Sequence, residues 1–145
     1  MFKGEMKRFT IEVNEKQLRL MNRAVELWSR LICGQLYLGD LQDLCCEAYE
    51  KSGQGKWGDI RDIAEQDMLM LQRRYWNLQH YGASYGLGYD KTADTLFDMH
   101  KVLDHAIYLS MPKEKQQEMK WTVMADKPMA FGDEPLIKVQ EIQEK

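Results

Sequence analysis

The stretch RFTIEVNEKQLRLMNRAVELWSRLI, residues 8–32, changes period in its middle. Before Asn14, Phe9, Ile11 and Val13 alternate with polar residues, the period of a half-buried strand. After it, Leu18, Met21, Val25, Trp28 and Ile32 recur at steps of three and four, the period of a helix. Asn14 with Gln17 three positions on is a capping-box start, and Leu20, Ala24, Leu27 and Leu31 widen the apolar face into that of a core helix over 15–33. A strand feeding a helix makes the first part of an α+β fold.

Working outward, the pattern supplies further elements. Gly34 and Gly39 interrupt the first helix, and residues 40–51 read as a shorter one. SGQGKWGD (52–59) is a glycine-rich loop carrying an exposed Trp57, and Asp59 caps a long helix to about residue 79 with the stripe Ile60, Ala64, Met68, Leu71, Tyr75 and Leu78. A helix over 91–110 turns Leu96, Met99, Leu103 and Ala106 inward, and Pro112 opens a short one. WTVMAD (121–126) and PLIKVQEI (135–142) read as late strands around a turn at Pro128, Gly132 and Pro135. The expected fold is α+β: about four helices on a small antiparallel sheet built from N- and C-terminal strands. It forms one domain over 1–145 with a frayed tail at 140–145. The open edge of so small a sheet favours pairing across a symmetric dimer.

The chain has 145 residues, 44% apolar and 30% charged, an ordinary globular balance. No window of about 18 apolar residues suggests a membrane span, and MFKGEMKRFT is not followed by an apolar signal core, so a cytoplasmic setting is expected. Net charge is −3, which argues against a long nucleic acid as partner, although residues 1–30 are locally basic. The three cysteines, Cys33, Cys45 and Cys46, form neither a disulfide framework nor a metal pair and read as buried thiols.

No hydrolase, zinc-protease, Walker or dinucleotide motif is present, so the expectation is a protein that is not an enzyme, with no catalytic residue, metal or cofactor. YGLGY (85–89) lacks the third glycine of a dinucleotide fingerprint, but it precedes a helix whose first amides could hold an anion. His100 and Asp104 lie one turn apart, and Asp104–His105 places polar groups late in an apolar helix, where they line a cavity or an interface. Lys16, Arg19, Arg23, Glu26 and Arg30 form a stripe on the first helix, suited either to solvent or to phosphate. Arg30, on the last turn beside flexible glycines, has the planar donors that bind phosphate in pairs. RRYWNLQHYGASYGLGYD (73–90) collects four tyrosines, a tryptophan and three glycines, an arrangement suited to packing on the core or to stacking on a flat ligand.

FTIEVNEKQLRLMNRAVELWSRLICGQL (9–36), YGLGYDKTADTLFDMHKVLDHAIYL (85–109) and ADKPMAFGDEPLIKVQEI (125–142) together resemble the phage anti-Thoeris family. The shared features are a TIEV-like strand, an EEQLRLI-like helix opening, an aromatic–x–Arg near the helix end, a GQ turn and an EPL-x-K close. The family binds and sequesters cyclic ADP-ribose isomers made by bacterial Thoeris immunity, as homo-oligomers and without cleavage. The resemblance implies a phage-encoded sponge at work in the infected bacterial host cell. It makes Arg30 a pyrophosphate contact beside Trp28, and the Tyr85–Gly86–Leu87 turn a wall for base or ribose. Where the family tends to be basic late in its last long helix, Asp104 and His105 stand here, as ribose and phosphate contacts in their turn. A cyclic oligonucleotide is the second choice of ligand. The competing reading is a protein–protein inhibitor or adaptor of phage origin with no small-molecule pocket, its methionines and tryptophans forming the contact surface.

Overall fold

The computed structural model describes residues 6–36 and 39–143. Five α-helices follow in order: α1 Glu15–Ile32, α2 Gly39–Lys51, α3 Arg61–Leu71, α4 Lys91–Ser110 and α5 Lys113–Met119. Single 3-10 turns stand at Trp57–Asp59 and Val123–Ala125. Residues 1–5 of the basic N-terminus and residues 144–145 of the expected frayed tail lie outside the described residues.

The expected α+β sheet does not form. Among the described residues there is no strand: 6–14 and 135–143 have no regular structure, and WTVMAD forms a 3-10 turn instead. The reason is physical. Alternation says which side chains share a side, but a strand also needs a neighbour for its backbone N–H and C=O groups. Phe9, at 86% exposure, and Trp121, at 87%, are covered by no apolar face among the described residues.

The helices are set by local signals. Asn14 caps α1, its Oδ1 accepting from the Gln17 amide at 2.8 Å while Gln17 Oε1 accepts from the Asn14 amide at 3.0 Å. Asp90 caps α4 by accepting from the Ala93 amide at 2.9 Å, and Pro112 precedes α5 as expected. The expected long helix after Asp59 runs from Arg61 to Trp76, with its last turn widened and its end a few residues short of the expected one. Asp59 belongs to the 3-10 turn, α3 ends at Leu71, and Gln72–Trp76 widens into a π-turn that Asn77 stops with a φ of 56°. Its expected stripe splits accordingly, with Met68 buried but Leu71 and Tyr75 exposed.

The framework is the antiparallel pair α1 and α4. Ser29 Oγ donates to the Ala93 carbonyl at 2.8 Å at one end, and Asn22 meets Asp104 toward the other. The α4 face is regular: Ala93, Leu96, His100, Leu103 and Ile107 are all buried, at steps of three and four. On α1 the expected apolar stripe is corrected, since the buried residues are Asn22 and Ser29 while Leu20 and Trp28 face outward.

The C-terminus of α1 is closed by the residues that follow it and by the aromatic stretch. Gly34, with a φ of 80°, lets its amide donate to Leu31 and the Gln35 amide donate to Arg30, both at 3.0 Å. That is a Schellman close. Trp76 Nε1 donates to the Ile32 carbonyl at 2.9 Å, the Tyr85 amide to Cys33 at 3.0 Å, and Gln72 Nε2 to Gly34 at 2.8 Å. The carbonyls that a helix end leaves open are thereby satisfied.

The chain exposes 11453 Å². A compact monomer of 17.1 kDa would expose about 7,800 Å². Extended ends account for part of the excess, and outward-facing Trp28, Ile63, Tyr75, Trp121 and Phe131 for more. No helix among the described residues is long and apolar enough to cross a membrane.

Candidate functional site

The residues singled out by sequence fall into two groups. At the C-terminal end of α1 stand Trp28, Arg30, Tyr85, Gly86 and Leu87. Asp104 and His105 lie toward the far end of α4, about 16 Å along the axis from Ala93 at the near end.

Arg30 is held by two side chains. Its Nε donates to Glu26 Oε1 at 3.0 Å, its Nη2 lies 2.9 Å from the same oxygen, and its Nη1 donates to Gln35 Oε1 at 3.1 Å. A guanidinium has five N–H donors, so this one keeps capacity for a ligand, and it is partly exposed. Trp28 does not share its face, because residues two apart point to different sides of a helix. Trp28 is 56% exposed.

The Tyr85–Leu87 turn packs against the same end. The Tyr85 hydroxyl donates to the Trp76 carbonyl, and the Cys33 thiol donates to the Gly86 carbonyl at 3.5 Å. Tyr85 and Tyr89 stack with centroids 4.2 Å apart and an interplanar angle of 11°, both half-exposed. Gly86 and Gly88 take φ values of 70° and 87°. Asp94 fixes the turn by accepting from the Gly88 amide at 3.0 Å. The question posed by the aromatic stretch therefore has a divided answer: Trp76 and the Tyr85 hydroxyl serve the helix end, while the Tyr85–Tyr89 faces and Leu87 remain toward solvent. Of the thiols, all free, Cys33 is buried as expected and Cys45 and Cys46 only partly. Burial pushes the Cys33 thiol up, with Asp94 and Asp90 adding to it.

Comparison with protein-family models, curated proteins and solved structures returns no match. The geometry must therefore carry the functional argument with the sequence resemblance beside it.

Between the two groups runs a polar seam. His100 Nδ1 lies 2.6 Å from Asn22 Oδ1, and Asn22 Nδ2 donates to Asp104 Oδ1 at 3.3 Å. Since the Asn22 amide nitrogen must serve Asp104, its oxygen takes the proton on His100 Nδ1. His100 Nε2 faces Glu26 Oε1 at 3.8 Å, which links the seam to Arg30. His105 turns away, its Nδ1 donating to the Met124 carbonyl at 2.9 Å, so His100, Asp104 and His105 do not converge. Among the described residues no three metal-ligating side chains form a cluster. Asp104 instead borders a groove of about 510 Å³ between the first half of α1 and Met124.

Burial pushes His100 below its ordinary value, outweighing the upward pull of Glu26 and Asp104; Lys101 and Arg30 add to the lowering. The unfolded chain therefore binds more protons than the folded one between the lowered value and about 6.5. Stability from this group is complete above about pH 6.5 and falls as pH drops through the folded value, at up to about 1.4 kcal/mol per pH unit. Urea midpoints at pH 7.5 and 5.5 should differ more for the natural chain than for His100→Gln; equal differences would contradict the assignment.

Sequence reading missed Asn22 and Gln72. Asn22 carried a signal, a polar residue amid an apolar helix face. Gln72 carried none: it is fully buried, with Oε1 lacking a partner among the described residues and Nε2 bridging Gly34 and Ala83.

Proposed function

We propose that this chain is a phage-encoded sponge: a homo-oligomer subunit that binds a small signalling nucleotide and sequesters it without cleavage. A cyclic ADP-ribose isomer is the first ligand to test and a cyclic oligonucleotide the second. The observation that carries the reading is the placement of Arg30 and the stacked Tyr85–Tyr89 pair at one end of α1. A guanidinium with spare donors suits phosphate, and half-exposed rings suit a base, each stacked base contributing roughly 1–3 kcal/mol. The resemblance to the anti-Thoeris family points to Arg30 and Tyr85, though not to Tyr89.

Self-association supplies what one copy lacks. The surface in excess of a compact monomer is larger than the roughly 800 Å² per partner of a standard interface. A second copy over Trp28 would bury that exposed ring. The other reading, an inhibitor or adaptor of a different protein, is favoured by the same exposed apolar groups, above all Tyr75 and Trp121.

The two readings separate on Arg30. Under the sponge reading, Arg30→Gln weakens nucleotide binding about 30-fold, the loss of one strong charged hydrogen-bond pair. Tyr89→Ala weakens it about tenfold. Both variants should keep the natural melting temperature to within a few degrees. Unchanged affinity in both would remove this helix end from the site.

A further inference from the structure

The first half of α1 carries cations that the proposed nucleotide site leaves unused. Lys16, Arg19 and Arg23 follow one another at steps of three and four. They therefore fall on successive turns of one face, about 5.4 Å apart along the axis. All three border the groove of about 510 Å³, a size within the range of small-ligand sites. Its floor is apolar, formed by Leu20 and Ile107 from the two long helices and by Met124 from the 3-10 turn. That turn is fixed in place: the Met124 carbonyl accepts from His105, and the Val123 carbonyl accepts from Lys101 Nζ at 3.4 Å. Asn22 and Asp104, hydrogen-bonded to each other, close one end. Arg19 is engaged by Glu15 at 2.9 Å. Both members of that pair are largely exposed, and an exposed pair of this kind contributes little, so Arg19 can exchange its carboxylate for a more highly charged anion.

The geometry points to this groove as a second site, for a small molecule that carries two adjacent phosphate groups on an apolar or aromatic body. Cations on successive turns address neighbouring phosphates together, which a single orthophosphate cannot exploit. The guanidinium groups donate in pairs to phosphate oxygens. Leu20, Ile107 and Met124 cover the uncharged body. Asp104 and Glu15, both in the lining, work against the anion and set an upper limit on affinity, while the acidic chain as a whole disfavours long polyanions. The site is independent of Arg30 and the tyrosines, which lie at the other end of the α1–α4 seam.

The test is calorimetric titration of the full chain with inorganic pyrophosphate and with orthophosphate at low ionic strength. Pyrophosphate should saturate one site per chain and bind at least tenfold tighter than orthophosphate. The double variant Lys16→Gln, Arg23→Gln should lose tenfold or more. The charge-matched double variant Arg61→Gln, Lys51→Gln, on exposed positions of α3 and α2 that do not line the groove, should change affinity less than twofold. Asp104→Asn should tighten binding several-fold, since it removes a negative charge while its amide oxygen still accepts from Asn22. A misfolded variant could not produce that gain. Pyrophosphate binding no tighter than orthophosphate, or equal losses in the two double variants, or no gain in Asp104→Asn, would overturn the proposal.

Discussion

Gly34→Ala is expected to destabilise the fold by about 3 kcal/mol. Two costs add. A side chain at a φ of 80° occupies the left-handed region, where only glycine is at ease. The new Cβ would also stand 2.7 Å from Leu78 Cδ1 and 2.8 Å from Trp76 Cγ. Trp76 cannot retreat without giving up its hydrogen bond to the Ile32 carbonyl, which caps α1. The effect should therefore spread to the aromatic turn and, under the proposed function, reduce nucleotide binding even at temperatures where the chain stays folded. Urea denaturation measures the first part; a natural midpoint for Gly34→Ala would contradict this account of the helix end.

Asp98→Ala should cost about 2–3 kcal/mol. Asp98 is buried on α4 and accepts from the Phe131 amide at 3.0 Å and the Gly132 amide at 2.8 Å. Removing the carboxylate leaves two donors without a partner and frees the segment that crosses α4 there. Gly132 sits so close that a Cβ would lie 3.2 Å from the Thr95 amide nitrogen, so no larger residue can restore the contact from the other side. Asp98→Asn keeps one accepting oxygen and should fall between. Hydrogen exchange at Phe131 and Gly132 should accelerate in Asp98→Ala while the α1 amides change little. Unaltered exchange at both positions would show that the carboxylate does not hold the segment.

The two framework helices were legible because each is specified locally. Asn14 with Gln17, and Asp90 before a run with the α4 period, fix their starts whatever the rest of the chain does. The helix after Asp59 was misread at its C-terminal end, where the Gln72–Trp76 turn widens and the buried Gln72 side chain reaches Gly34 and Ala83, partners the sequence pattern does not show. The strands expected at RFTIEV, WTVMAD (121–126) and PLIKVQEI (135–142) were misread for a different reason: among the described residues no neighbouring backbone pairs with them. At the site, Arg30 was legible as a cation on the last turn of the first helix and Tyr85 as a ring in the loop before the 91–110 helix, and the Tyr85 amide bonded to the Cys33 carbonyl brings the two to one end of α1. That Asp104 and His105 lie away from the tyrosine turn was legible as well, since a helix over 91–110 carries Asp104 about 20 Å along its axis from the end where the turn sits.

The central claim is that the chain holds a small nucleotide and returns it unchanged. It is tested most directly by calorimetric titration with a cyclic ADP-ribose isomer, followed by heat denaturation and chromatography of the released ligand. The account predicts binding at nanomolar Kd, about −12 kcal/mol, with the ligand recovered intact. Cleaved ligand, or no heat with this nucleotide or with cyclic oligonucleotides, would contradict it.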